Sequence, residues 1–192
     1  MKTVIGFLSR PHGFNVLSAL ISSQDYAFLR VYTHKLNPKS QDPSRFERSD
    51  YQLFKKTCLE YNIPIYSIDS KETELSNFPK CDYIVEVSWR YLLPEKITKM
   101  ANIAAFGIHR GKLPAYAGPE PIKQALINNE KEIILSAHIL GNQIDQGKII
   151  STISHPVNYS LNSSLEDNIQ RLREEITPLF SKLVFDVFNK YE

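Results

Sequence analysis

"GIHRGKLPAYAGPEPIKQALINNEKEIILSAHILGNQIDQGKII", Gly107 to Ile150, decides how this chain is read. His109 closes an apolar run and enters a turn stiffened by Pro114 and Gly118. Backbone geometry would hold a side chain there, and general acid–base or electrostatic catalysis needs such placement. His138 lies in a later apolar run, and Asp145 follows in the loop before the next one. A carboxylate beside a histidine can fix its tautomer, favour imidazolium or position a water between them. Equally, "DQG" around Asp145 makes a good turn. His34 and His155 read as surface or satisfied core histidines.

Working outward, short apolar runs alternate with helical patterns. "TVIGFL" reads as a strand, "SRPHGFN" as a turn and "VLSALISS" as a helix. "YAFLRVYTH" is a second strand, and "NPKSQDPS" a polar loop. "RFERSDYQLFKKTCLEYN" is expected to be helical, with Phe46, Leu53, Phe54, Thr57 and Tyr61 on its apolar face. "IPIYSID", "CDYIVEVS" and "NIAAFGIH" follow as strands, with Pro94 in the first turn of a helix between the last two. "PIKQALINN" is a helix, and "EIILSAHIL" and "KIISTISHPV" are strands. The last helix opens with Ser163 and Glu166 at capping-box spacing. Its stripe runs through Leu165, Ile169, Leu172, Ile176, Leu179 and Leu183, and Pro178 should kink or divide it.

This alternation implies an α/β fold with a Rossmann-like, doubly wound, mostly parallel sheet. Ligands of such sheets bind beyond the carboxyl ends of the strands. "SRPHGFN", "SWRY" and "HRGKLP" all fall there, so one crevice could collect them.

A length of 192 residues suits a single domain, 1–192. A net charge of +2, with both signs interspersed, gives no electrostatic argument for nucleic acid. Cys58 and Cys81 lack C-x-x-C spacing and have no histidines placed as co-ligands, so no metal site is expected. They fit a reducing compartment. The first apolar run ends at Arg10, too short for a signal peptide, and no later run could span a bilayer. A cytoplasmic protein with no membrane partner is the expectation.

The stretch from Gly107 to Ile150 resembles the signature of the folate-dependent formyltransferase family. That family includes glycinamide ribonucleotide, methionyl-tRNA and sugar N-formyltransferases. Its motif runs Asn-x-His, L-P-x-Y-x-G, a helix ending in G-E or N-E, T-x-H, then x-D-x-G-x-I-I. His109, Leu113, Pro114, Tyr116, Gly118, Pro121, Glu130, His138, Asp145, Gly147 and Ile149 occupy matching positions. Gly107 takes the place of the family asparagine.

The resemblance implies transfer of a formyl group from 10-formyltetrahydrofolate to a primary amine of a small molecule. In such an enzyme His109 shares the oxyanion work, while Asp145 organises the histidine and a proton-relaying water. The asparagine amide missing at Gly107 would stabilise the carbonyl oxygen. Losing one such donor costs about 10²–10³ in rate. Water, the backbone N–H or Arg110 could take over the donor role.

"VSWRYLLPEKI" is similar to the segment whose backbone meets the pterin. That implies a folate site of Trp89, Arg90, Tyr91 and Leu92, with His138, Leu140, Gly141 and Asn142 as the other wall. Arg10, Gly13 and Asn15 are similar to a loop that holds substrate phosphate, and Arg110 and Glu120 join them as acceptor-site candidates. A glycine turn entering a helix is also an anion site on physical grounds, though a plain strand–helix connection explains it equally well.

The short chain favours the compact purine-type enzyme, whereas "HRGKLP" and "ALINNEKE" are more similar to sugar and tRNA family members; an amino sugar is favoured over a purine precursor. A folate- or nucleotide-binding homologue with impaired catalysis is the alternative reading. A formyltetrahydrofolate hydrolase is the third.

Overall fold

The computed structural model describes residues Met1–Glu192. Val4, Ile5, Phe7 and Leu8 are near-consecutive apolar residues, and all are fully buried. A strand covered on both faces needs such a run. They form strand β1 (Lys2–Leu8), which pairs in parallel with β2 (Tyr26–Thr33) and β4 (Cys81–Val87). Strand β3 (Ile65–Ser67) extends the parallel ladder from β2. Strands β5 (Ala101–His109), β6 (Glu132–Ile139) and β7 (Ile149–Pro156) complete a seven-stranded sheet of order β3-β2-β1-β4-β5-β6-β7. The pairs β5/β6 and β6/β7 are antiparallel. The fold is thus the mostly parallel, Rossmann-like α/β architecture implied by the sequence. Contacts divide the chain into two compact units, Met1–Ala105 and Phe106–Glu192.

In the first unit, helix α1 spans Arg10–Ser23, so the "SRPHGFN" turn is instead the first turns of that helix. Arg10 opens it with φ +64°. Gly13 is helical and buried, and a Cβ there would lie 3.0 Å from the Leu8 carbonyl carbon. Its glycine allows close helix–strand packing rather than a loop.

Helix α2 covers only Tyr51–Glu60, six residues shorter at its start than the apolar spacing implies. Of the expected face, Phe54 is buried, with Cys58 one turn on, whereas Phe46 is 71% exposed. The cause is Arg48, whose side chain is fully buried. Its guanidinium donates to Ser9 Oγ at 2.9 Å, to the His34 carbonyl at 2.6 Å and to both Asp50 oxygens at 2.7 and 2.8 Å. Leu36 and Glu47 also form an antiparallel bridge, so residues 45–50 are held out of the helix. Helix α3 (Glu95–Thr98) is capped by Pro94. Cys58 and Cys81 are buried, and burial pushes both thiols up to about 12.

In the second unit, α4 spans Pro121–Ile127 and α5 spans Leu165–Tyr191. The capping box is one residue later than its expected position: Ser164 Oγ accepts from Asp167 N–H, and Ser164 N–H donates to Asp167 Oδ2. Helix α5 runs unbroken through Pro178, contrary to the expected division. Pro178 is exposed, so its ring and the lost backbone bond fall on the solvent side. The face that packs on β6 and β7 adds Phe180, Val184, Val187 and Phe188 to the expected stripe. No helix is long and apolar enough to cross a membrane.

Candidate active site

The alternation of strand side chains puts Gly107 and His109 on one face of β5. His138 of β6 is the register partner of Gly107, and Ser136 of His109. His138 therefore projects beside the position where Gly107 has no side chain. Asp145, from the loop before β7, reaches both rings. Its Oδ2 is 3.3 Å from His109 Nδ1, and its Oδ1 is 3.5 Å from His138 Nε2. Side-chain exposures of 11%, 14% and 4% for His109, Asp145 and His138 make this a nearly dry cluster.

The loop after β5 locks His109 from its other side. The Tyr116 carbonyl accepts from His109 Nε2 at 2.6 Å, while the Tyr116 hydroxyl donates to Glu130 Oε1, also at 2.6 Å. Gly118 donates its N–H to Asp145 Oδ2 at 3.0 Å, from a backbone with φ +83° that favours glycine. A Cβ at Gly111 would lie 3.0 Å from both His109 Nε2 and the Tyr116 carbonyl oxygen. The small residue there leaves room for that hydrogen bond. Buried Ser136 accepts from Leu113 N–H and donates to the Gly111 carbonyl, pinning the start of the loop to β6.

Burial pushes His109 below its ordinary pKa, against the Asp145 carboxylate and Tyr116 carbonyl, which both favour the charged ring. His138 and Arg110 add to the lowering. For Asp145, burial acts upward but is outweighed by His138, His109 and the Gly118 N–H, so its carboxyl sits below the usual range. At neutral pH the cluster rests with an ionised carboxylate between two rings.

Gly107 is buried within regular strand, and Gly118 alone among the glycines has positive φ. The β5 backbone therefore does not demand glycine at 107. Glu120 is exposed at the start of α4, its Oε2 3.8 Å from Lys123 Nζ. Leu140, Gly141 and Asn142 follow β6 in the loop that carries Asp145, with Gly141 and Asn142 exposed.

The remaining candidates lie in the first unit. Trp89 stacks on His34 at 4.1 Å and packs edge-on to Phe7 at 5.0 Å. Its indole N–H is buried without a partner, while its backbone N–H donates to Glu86 Oε1. Arg90 donates its backbone N–H to His34 Nε2 at 3.2 Å, and its side chain reaches the Leu36 carbonyl and Asp69. Tyr91 is half-buried and Leu92 exposed. Arg10 donates to Gln41, and Asn15 is a half-buried residue of α1. His34 is a satisfied core histidine: Nδ1–H donates to the Ile68 carbonyl, and burial pushes the ring down to about 3.

Three features escape the sequence reading. Ser136 sits unmarked inside an apolar run. The Tyr116 partner is a backbone atom. The buried Arg48 belongs to the charged start of a stretch that reads as an amphipathic helix.

A family model described as "Formyl transferase" matches residues 18–183. A methionyl-tRNA formyltransferase of Leptospira interrogans (serogroup Icterohaemorrhagiae, serovar copenhageni) is 27% identical over 195 residues, covering 98% of this chain and 59% of its own. The chain thus spans about three fifths of that relative's length. A phosphoribosylglycinamide formyltransferase from Brucella melitensis superposes with a TM-score of 0.70 at 16% identity, covering 99% of this chain and 95% of that one. A 4-N formyltransferase from Francisella tularensis gives 0.66 at 23%, covering 98% and 70%. These two likenesses establish the fold.

Proposed function

Given that the chain belongs to the formyl transferase family, we propose that it moves a formyl group from 10-formyltetrahydrofolate to a primary amine of a small molecule. The observation that carries this reading is the clamp on His109, with Tyr116 carbonyl on one ring nitrogen and Asp145 on the other. A ring fixed at both ends is oriented in advance, and a proton taken up there would place positive charge beside a developing formyl oxyanion. Asp145, held ionised, is placed to receive the proton that the attacking amine must lose.

The formylfolate supplies the activated one-carbon unit. In the first unit, half-buried Tyr91 and exposed Leu92 suit a ring-bearing ligand. The Trp89 and Arg90 backbone N–H groups are already bonded within the protein. Recognition through this segment therefore falls to its carbonyls and side chains. In the second unit, His138, Leu140, Gly141 and Asn142 are the folate candidates. Arg10, Gly13, Asn15, Arg110 and Glu120 are the acceptor candidates, with Gly13 acting only through its backbone. An amino sugar is the preferred acceptor over a ribonucleotide amine.

Gly107 favours a second reading, a folate-binding homologue slowed or silenced by loss of the amide. Calorimetric titration with 5-formyltetrahydrofolate, which resembles the donor, tests what both readings share. Saturable one-to-one binding is expected, and no binding at millimolar ligand would remove both.

A further inference from the structure

His138 is the register partner of Gly107, and its ring takes the second oxygen of the carboxylate that serves His109. The hydrogen-bond inventory of this cluster is short of protons. His109 Nε2 faces the Tyr116 carbonyl and Nδ1 faces Asp145 Oδ2. His138 Nδ1 lies 3.2 Å from the Ile139 carbonyl, and Nε2 faces Asp145 Oδ1. Four ring nitrogens thus face four oxygens that, with Asp145 ionised, only accept. Two neutral imidazoles carry one N–H each. Two of the four contacts therefore set a lone pair against a lone pair until a proton arrives.

Resting on the formyl-transfer reading, we infer that His138 is a second proton-holding residue, forming with Asp145 and His109 one unit that stores the amine's proton during transfer. The balance is simple. The amine nitrogen bonds to the formyl carbon, the bond from that carbon to the donor nitrogen breaks, and one proton moves from the amine to the donor nitrogen. Between loss and return, the proton occupies one of the two ring-to-carboxylate contacts and turns a repulsive approach into a charge-assisted hydrogen bond. Burial lowers the His109 pKa, and the surplus of acceptors around the two rings lets the unit take up a proton briefly.

The charged groups facing the unit include Asp145 from the loop before β7, the paired ring on the adjoining strand, and Arg110 next to His109. His138 acts through Asp145 and is thus a positioning residue, not one that touches the reacting atoms.

The test is a ¹⁵N NMR titration of the imidazoles in the ligand-free protein, which needs no activity. We expect His109 and His138 to protonate in coupled steps with biphasic curves. Asp145→Asn should separate them into single-step curves. Two independent single-step curves in the wild-type protein would overturn the inference, whether or not any variant folds.

The kinetic counterpart uses His138→Gln, which keeps hydrogen-bonding capacity but cannot hold a proton. Its kcat should fall about 10²-fold with the acidic limb of the pH profile displaced. Affinity for 5-formyltetrahydrofolate should fall less than kcat. An unaltered kcat and profile would overturn the inference, as would loss of folate affinity alone. Coupled titration in a protein that transfers no formyl group to any amine would refute the transfer reading and leave the shared proton standing.

Discussion

Asp145 Oδ2 lies 3.3 Å from Nδ1 of His109 and accepts the Gly118 N–H at 3.0 Å. One carboxylate oxygen thus ties the histidine to the L-P-x-Y-x-G loop. Replacing Asp145 with Asn keeps the shape and removes the charge. We expect kcat to fall about 10²–10⁴-fold, with thermal stability changed far less. A transfer assay beside a melting curve checks both, and wild-type turnover would separate Asp145 from the chemistry.

Gly111 tests the loop from its other end. An alanine methyl would lie 2.6 Å from Pro121 Cβ and 3.0 Å from both His109 Nε2 and the Tyr116 carbonyl oxygen. Overpacking of this kind costs about 1–3 kcal/mol. The account expects a folded Gly111→Ala protein whose kcat drops more than its affinity for 5-formyltetrahydrofolate. Equal losses in both would indicate a general packing defect.

Gly107 lies in regular strand, so asparagine can enter without a backbone penalty. If the site lacks only an oxyanion donor, Gly107→Asn should raise kcat, up to about 10²–10³-fold. Unchanged or lower turnover would mean that another donor already fills that role.

The pH dependence of stability follows from the buried histidines. His34 is held down at about 3 in the folded protein and has its ordinary value of 6.5 when unfolded. Between those values the unfolded chain binds the extra proton, so stability falls as the solution is acidified. The limiting slope is about 1.4 kcal/mol per pH unit. His109, also lowered, adds a contribution of the same sign below 6.5. Asp145 acts elsewhere: with its carboxyl below 3.8, its stabilisation is present above that value and lost as pH falls through the lowered one. Denaturant melts between pH 6.5 and 4.5 isolate the histidines, and His34→Gln should flatten the curve there.

Arg48 offers a test of a buried charge. Asp50→Asn would leave its guanidinium without a counter-charge, at about 3–5 kcal/mol. Arg48→Met combined with Asp50→Asn removes both charges and should cost less. Urea midpoints of the two variants decide the order.

How much of this was legible in the sequence depends on where each signal resides. The seven strands and their α/β alternation could be read, because runs such as Val4–Leu8 carry burial in their own composition. His109, His138 and Asp145 could be singled out by spacing, and the structure brings those three together. The start of α2 could not be read, because Phe46 falls at helical spacing while the buried Arg48 holds the backbone elsewhere. The same holds for residues 10–15, where Pro11 and Gly13 look like turn residues. Pro11 instead sits in the first turn of α1, and Gly13 packs that helix against Leu8. Neither effect is local, so neither leaves a mark in a short window.

The most direct test of the central claim is formyl transfer itself, measured as tetrahydrofolate released from 10-formyltetrahydrofolate with a panel of amino sugars and ribonucleotide amines. The account predicts amine-dependent release by the wild-type protein and its near-complete loss in His109→Ala. Release that persists unchanged in His109→Ala would contradict it.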